Sequence, residues 1–301
     1  MKNRRTSRLF ASLGLFLFSL LWTPLIHSES DTGSRNSNAA TIPHSPQNAE
    51  DEFLLGRAYY RGEGVNQSYE QAGEWYRKAA EQGNLKAMHN LGIMFLEGQG
   101  TKKNEAEGYR WIRMAADKGD PRASYLCGVL LLDGKGVEKN PAEGIEWLQK
   151  SAAKGYANAV ARLGRDYFYG GDGIAPDPKK GLSLIQSASE KGNAWAMGAL
   201  GEIYKKGDLL PENIEKACEL FQHGAELGDP ASQFQYANLL MLSNPMAAYP
   251  WIKLAVDAHE VRAIGLMNDV CPRMTADQRV AGDQVAEKIR KSYTPIPNSQ
   301  K

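Results

Sequence analysis

A stretch of about 36 residues recurs along the chain, and this repetition constrains the fold more than any other feature. Trp75, Trp111 and Trp147 lie 36 residues apart. Glycines keep the same step, in one series at Gly56, Gly92, Gly128 and Gly164 and in another at Gly83, Gly119 and Gly155. A constant period of 20 to 50 residues is typical of solenoids, propellers and repeat arrays. The repetition therefore overrides the two ordinary domains that a length of 301 residues would suggest.

Each unit is predicted to form two helices joined by a glycine turn. In the second unit, Ala87, Leu91 and Phe95 recur at helical spacing, and a second apolar stripe contains Trp111. The two stripes are separated by residues 98–100, where glycine can adopt a positive φ. Runs of β-branched residues are scarce, which favours helix over strand.

The predicted fold is all-α, a right-handed α/α superhelical solenoid of six helix–turn–helix units over residues 49–272. The sixth unit keeps its pattern but has a shortened loop between its helices. A seventh first helix is expected at 261–270, and Thr275 is predicted to be the N-cap of a capping helix within 273–291. Residues 292–301 are predicted to be disordered.

The N-terminal segment has the layout of a secretory signal peptide. A cationic start precedes an apolar stretch from Leu9 to Trp22, which is followed by small or polar residues. This stretch is shorter than the roughly 20 residues needed to span a bilayer. We predict cleavage after Ser28 and a periplasmic or secreted protein, with an uncleaved anchor as the alternative. Residues 29–48 are predicted to be a disordered linker, because they contain almost no large apolar side chains.

Charge and cysteine content argue against two classes of function. The formal net charge is +1, and it would be −3 without residues 1–28, so no basic face for nucleic acid is expected. Cys127, Cys218 and Cys271 stand far apart, and the chain contains no CxxC pair of the kind that holds zinc or performs redox chemistry. Cys127 occupies a position that is leucine in neighbouring units, which predicts a small buried side chain.

The glycine loops and histidines offer no clear catalytic or cofactor motif. The loops lack the third glycine of GxGxxG and the GK[ST] of a phosphate-binding loop, and their recurrence indicates turns. His223 and Glu226 are spaced as in metal-binding helices, but no second histidine motif accompanies them. We therefore expect no cofactor, no metal site and no enzyme, although a triad assembled in space would not be visible in the sequence.

The pattern of one complete unit can be compared with known repeats. Residues 51–83 follow AxxxLGxxYxxGxGVxxxxxxAxxWYxxAAxxG, with Asp51 at the leading alanine. This pattern resembles the Sel-one-like repeat (SLR) family over about residues 49–270. The resemblance implies a tetratricopeptide-like α/α solenoid that holds other proteins together, and secreted bacterial members look like adaptors in envelope signalling or host interaction. Leu184 and Leu220 replace the tryptophan, so the C-terminal half is the less regular part.

The predicted partner site is the concave face formed by the first helix of each unit. Residues two before and two after the leucine of the Leu-Gly pair, and those one turn further on, point away from the helix pair. The predicted partner-binding residues are Phe53, Arg57, Tyr60, His89, Ile93, Tyr125, Val129, Arg165 and Phe168. Aromatic residues and arginine are typical interface anchors, and a curved array leaves a concave surface open. Any one of these side chains could instead pack against the neighbouring unit.

These observations predict an exported scaffold or adaptor that binds a protein or peptide partner on the concave face. Membrane contact is expected only through an uncleaved signal segment. One alternative is a periplasmic inhibitor of a sensor protein. Another is a cell-envelope hydrolase on the same scaffold, which would require an acid, a base and a nucleophile close together in one concavity.

Overall fold

The computed structural model describes residues 46–293, which form fourteen α-helices and no β-strand. The helices are α1 Ala49–Arg61, α2 Tyr69–Glu81, α3 Leu85–Glu97, α4 Glu105–Asp117, α5 Pro121–Asp133, α6 Pro141–Ala153, α7 Ala157–Tyr169, α8 Pro178–Glu190, α9 Ala194–Lys206, α10 Ile214–Glu226, α11 Pro230–Met241, α12 Pro245–Asp257, α13 Arg262–Val270 and α14 Ala276–Ser292. The predicted signal peptide, most of the predicted linker and residues 294–301 lie outside the described residues.

The chain divides into two compact units at the boundary between Leu184 and Ile185, within α8. In the first unit, α1 packs against α2, α3 against α4 and α5 against α6, and each second helix also packs against the next first helix. In the second unit, α9 packs against α10 and α11 against α12 in the same manner. Consecutive helix pairs of this kind form an α/α repeat solenoid. The prediction of an all-α solenoid is therefore confirmed.

Polar caps and glycine turns limit the helices α1 to α12 to 12 or 13 residues each. Asp120 begins α5, where its Oδ1 accepts a hydrogen bond of 3.0 Å from the backbone N–H of Ala123. Asn140 caps α6 in the same way. Gly134 ends α5 with φ 70°, and its N–H donates to the carbonyl of Leu130. These contacts satisfy backbone groups that a helix terminus leaves unpaired.

The Leu-Gly position of each first helix forms the contact between the helices of a pair. Leu91 and Cys127, which occupy this position in α3 and α5, are completely buried. Burial raises the pKa of the Cys127 thiol to about 11, so the thiol is neutral and behaves as an apolar group. At Gly92 an added Cβ would lie 2.7 Å from the side chain of Ile112, so glycine is needed for this close approach. The predicted burial of Cys127 is confirmed.

The C-terminal end follows the predicted helix order, with one correction. Thr275 is the N-cap of α14: its hydroxyl accepts from the N–H of Gln278, and its own N–H donates to the Gln278 side chain at 2.8 Å. The predicted disorder is wrong for the first two residues of 292–301. Ser292 ends α14, and the hydroxyl of Tyr293 accepts a 2.7 Å hydrogen bond from Gln233. Tyr293 is ordered because its ring is partly buried while its hydroxyl finds a polar partner.

Candidate partner-binding face

The predicted partner-binding residues occupy three repeat positions on α1, α3, α5 and α7, in the first compact unit. We define the first row as the residues two before the leucine of the Leu-Gly pair and its equivalents: Phe53, His89, Tyr125 and Ala161. The middle row contains the residues two after it: Arg57, Ile93, Val129 and Arg165. The last row lies about one turn beyond: Tyr60, Leu96, Leu132 and Phe168. The three rows differ in their accessibility.

Phe53, in the first row, is only 6% exposed, so the predicted exposed anchor is wrong at this position. Its ring stacks on Tyr76 of α2, with centroids 5.7 Å apart. The ammonium of Lys86, in the first turn of α3, lies 5.4 Å from the centre of the Phe53 ring. Phe53 is therefore covered by its own pair and by the start of the next first helix.

His89 is the second correction in the first row. Its side chain is only 5% exposed, and its Nδ1 is buried without a hydrogen-bond partner among the described residues. Asp120 and Arg122, at the start of α5, are its charged neighbours. Burial, reinforced by the positive charge of Arg122, lowers the pKa of His89 to about 4. His89 is a neutral core residue and not an interface anchor.

The lowered pKa of His89 predicts that the protein loses stability in mild acid. In the unfolded chain His89 takes up a proton as the pH falls through its ordinary pKa near 6.5, whereas the folded protein resists protonation until about pH 4. Stability is therefore complete above pH 6.5 and falls between these two values. We expect a loss of about 2 kcal/mol in unfolding free energy between pH 7 and pH 5. Urea unfolding at both pH values measures this loss.

The matched control for this prediction is His89→Gln, which removes the titrating group. The difference between the two pH values should shrink by about 2 kcal/mol in this variant, even if the variant is less stable at pH 7. A variant that retains the full pH dependence of the native protein would contradict the assignment of the acid sensitivity to His89.

Tyr125 continues the first row, but it keeps part of its surface accessible. Its ring lies 5.5 Å from that of Tyr156, which is the N-cap residue of α7. Burial raises the pKa of Tyr125, and the hydroxyl is therefore neutral. Ala161, the last member, is buried. Lys86, Arg122 and Tyr156, at the starts of α3, α5 and α7, thus each lie beside the first-row residue of the preceding unit.

The middle row is the accessible part of the face. Arg57, Ile93 and Val129 are partly exposed, and Arg165 is exposed. The row therefore presents two aliphatic side chains between two arginines, at one repeat position in four consecutive first helices. Its members lie on α1, α3, α5 and α7, the first helices of four consecutive units.

Arg165 belongs to an ionic network that the sequence reasoning missed. Asp166 is only 3% exposed, and its two oxygens pair with Arg165 at 3.2 Å and with Arg162 at 3.0 Å. Arg162 also pairs with Asp172, which has a positive φ of 54° in the loop before α8. The spacing of Arg162 and Asp166, four residues apart on a helix, is the sequence signal that could have revealed the pair. The network holds the guanidinium of Arg165 in a fixed position.

Two residues of the last row are buried and the other two are partly exposed. Leu96 and Leu132 are buried and belong to the core, so they contribute no accessible surface. Tyr60 remains partly exposed, and its hydroxyl donates a 2.8 Å hydrogen bond to Gln99. Phe168 is also partly exposed and meets the exposed ring of Tyr169 edge-on, at 4.8 Å between centroids. Tyr169, which sequence reasoning missed, extends the aromatic surface at this end.

Two negative findings apply to the part of the chain that the structure describes. Within residues 46–293 there is no group of three His, Cys, Asp or Glu side chains that could hold a metal ion. In the same range, no helix has both the length and the apolar character required to cross a bilayer.

Comparison with known families gives the chain its classification. The Sel1 repeat matches five segments, residues 49–84, 85–120, 121–156, 157–193 and 196–229, which together make up more than half of the chain. The chain belongs to the Sel1 repeat family. Proteins of this family are generally protein-interaction scaffolds and are typically non-catalytic. The sixth helix pair, α11 and α12, lies beyond the matched segments but packs like the others.

Solved structures show what this Sel1 repeat protein is similar to. A Sel1 repeat protein from Oxalobacter formigenes is 30% identical, with 71% of this chain and 88% of that chain covered and a TM-score of 0.63. A protective antigen of uropathogenic Escherichia coli with an SLR fold is 26% identical, with 81% and 61% covered and a TM-score of 0.42. An immunity protein from Pseudomonas aeruginosa is 20% identical, with 83% and 88% covered and a TM-score of 0.50, a likeness of fold alone. No curated protein matches the sequence significantly.

Proposed function

We propose that this Sel1 repeat protein is an exported scaffold that binds a protein or peptide partner along its middle row. Export would depend on residues 1–28, whose layout is that of a signal peptide. The protein would then work in the periplasm or outside the cell, in envelope signalling or in contact with a host. The general role of Sel1 repeat proteins as interaction scaffolds supports the binding part of this proposal.

The observation that carries the proposal is the accessibility of the middle row. Stacking of the units buries most of the first row and half of the last row. The four middle-row residues remain partly or fully exposed to solvent: Arg57, Ile93, Val129 and Arg165. Aliphatic side chains supply apolar area, and arginines supply directional hydrogen bonds to a partner. Single exposed apolar residues are common on any surface, whereas here they recur at one repeat position.

The repeat architecture also reduces the entropic cost of binding. The middle-row side chains project from helices that are fixed by buried neighbours such as Leu91 and Cys127. A stiff surface loses little conformational freedom when a partner docks, so most of the ordering cost falls on the partner.

Site-specific photo-crosslinking in cells tests this proposal. A photoreactive amino acid at Ile93 should give a discrete adduct with a partner protein, and Val129→Asp should abolish that adduct because it places a charge on the same row. The matched control is the photoreactive residue at Gln149, which is exposed on the second helix α6. The intact mass of the same purified protein also reports export: a chain that begins at Glu29 supports cleavage, and a chain that retains Met1 argues against it.

Two outcomes of the crosslinking would overturn the binding proposal. One is an adduct from Gln149 with none from Ile93, which would place the contact on the second helices. The other is an Ile93 adduct that persists unchanged in the Val129→Asp background, since a partner that runs along the middle row must pass both positions.

A further inference from the structure

We propose that Arg57 is a carboxylate-binding subsite at one end of the middle row, and that the row is occupied by an extended peptide segment. The segment would carry a carboxylate three residues away from one aliphatic side chain and six residues away from a second. This inference rests on the proposed function, because it specifies the chemistry of the partner at the same face.

Arg57 differs from the other arginines on the first helices of its compact unit, because it has no ion pair within residues 46–293. The other arginines all have acidic partners: Arg61 pairs with Glu63, Arg122 with Asp120, Arg162 with Asp166 and Asp172, and Arg165 with Asp166. The Nε of Arg57 is buried and has no hydrogen-bond partner among the described residues, although the side chain as a whole remains partly accessible. A carboxylate docked on the accessible part of this side chain would supply the acidic partner that Arg57 lacks.

Among the described residues, no carboxylate forms an ion pair with Arg57, and the polar groups around its neighbour Tyr76 are neutral or positive. The positive charge of Arg57 acts on the hydroxyl of Tyr76. Burial raises the pKa of Tyr76 to about 12, so this hydroxyl is uncharged at physiological pH and does not neutralise Arg57. The hydrogen-bond partner of that hydroxyl is Asn90, which is also neutral. The nearby Arg61 is already paired with the exposed Glu63, so it adds no net charge at this end of the face. Charge complementarity at this end of the face therefore calls for an anion from the partner.

The next two members of the row determine which side chains the peptide carries beyond its carboxylate. Ile93 and Val129 present aliphatic surface, each one unit further along. The diameter of a helix with its side chains, roughly 10 Å, sets the scale of the step from one unit to the next, and an extended chain advances about 3.3 Å per residue. One unit therefore corresponds to about three residues of an extended peptide, which sets the spacing of the two apolar side chains.

The far end of the row makes the binding asymmetric. Arg165 is already neutralised by the buried Asp166, so it does not require a second carboxylate from the peptide. A segment with one acidic end therefore binds with that end at Arg57 and not at Arg165. The acidic residue can be nearer the N-terminus or nearer the C-terminus of the peptide, so the test compares peptides with both orders.

The test uses fluorescent nonapeptides with one Glu and two Leu in a Gly-Ser background, and their anisotropy is titrated with the full chain. The probe has Glu, Leu and Leu at its second, fifth and eighth positions; a second probe has the reverse order, and a third has the three residues adjacent. We expect one of the spaced peptides to bind at least about tenfold more tightly than the adjacent one. Replacing its Glu by Gln should weaken binding about tenfold, the effect of losing one charge-assisted contact.

Protein variants then assign the two preferences to separate residues. Arg57→Gln should abolish the preference for Glu over Gln but keep the preference for spaced leucines. Ile93→Ser should keep the Glu preference and weaken the preference for spaced leucines, because only Val129 then offers an aliphatic contact. Arg57→Lys should retain part of the Glu preference, because it keeps the charge and loses the fork of donors. The matched control is Arg61→Gln, on the same helix and already paired with Glu63, which should change neither preference. Circular dichroism confirms that every variant keeps its helices.

The outcomes separate this inference from the proposed function. Equal binding of the Glu and Gln peptides, or an equal loss in the Arg57→Gln and Arg61→Gln proteins, overturns the carboxylate subsite, while the proposed function stands if Ile93 still crosslinks to its partner. Equal binding of spaced and adjacent peptides overturns the three-residue spacing. A failure of the crosslinking at Ile93 removes the proposed function itself.

Discussion

We expect Trp111→Ala to lower the free energy of unfolding by about 3 to 5 kcal/mol. The indole is only 5% exposed and belongs to the main core of the first compact unit. Its Nε1–H also donates a 2.9 Å hydrogen bond to Glu107, so the substitution removes both packing and a polar contact. Urea unfolding followed by circular dichroism measures the change, because the helix signal does not depend on the tryptophan that is removed.

Trp75→Ala is the matched control for this prediction. Trp75 occupies the same repeat position 36 residues earlier, but it is only partly buried, and Lys78 lies over its ring at 3.9 Å. Less apolar area is lost when this side chain is truncated, so the expected loss is about 1 to 2 kcal/mol. Equal losses for the two variants would contradict the difference in burial, and a loss near zero for Trp111→Ala would refute its place between the helices.

The tryptophan step shows why the fold could be predicted from the sequence. A residue that recurs every 36 positions, with glycine at a fixed distance after it, indicates the helix pair, its turn and its partner unit at the same time. The prediction extended to the sixth pair, although Leu184 and Leu220 interrupt the tryptophan series and the loop before α12 is short. Local pattern was sufficient because each pair depends mainly on contacts with adjacent helices.

The accessibility of the candidate face could be predicted only in part. Phe53 and Arg57 lie four residues apart on one side of the same helix, so helical periodicity cannot distinguish them. The distinction comes from the next unit, whose first turn places Lys86 over Phe53 and Arg122 beside His89. Such coverage depends on how one unit is tilted on the next, which no single unit's pattern contains. Alternating rows of buried and accessible residues are therefore a property of the stack.

We expect Gly136→Ala to be similarly damaging, with a loss of about 3 kcal/mol or more in unfolding free energy. Gly136 has a φ of 72°, and an added Cβ would lie 2.1 Å from the carbonyl oxygen of Glu105 at the start of α4. That contact joins the turn of one unit to the second helix of the preceding unit. The backbone must shift to admit a methyl group, and the loss is measured by urea unfolding.

The matched control is Gly83→Ala, which separates backbone strain from the clash. Gly83 has a φ of 94°, but no atom lies within 4 Å of a Cβ added there, so only the left-handed strain of about 1 to 2 kcal/mol is expected. Equal losses of stability in the Gly136→Ala and Gly83→Ala variants would mean that the turn at Gly136 moves away from Glu105 without a cost in free energy. If instead Gly136→Ala keeps the helices but weakens the preference for three-residue spacing in the peptide series, the turn contact sets the step between units. The spacing of the middle row would then depend on a glycine that touches no partner.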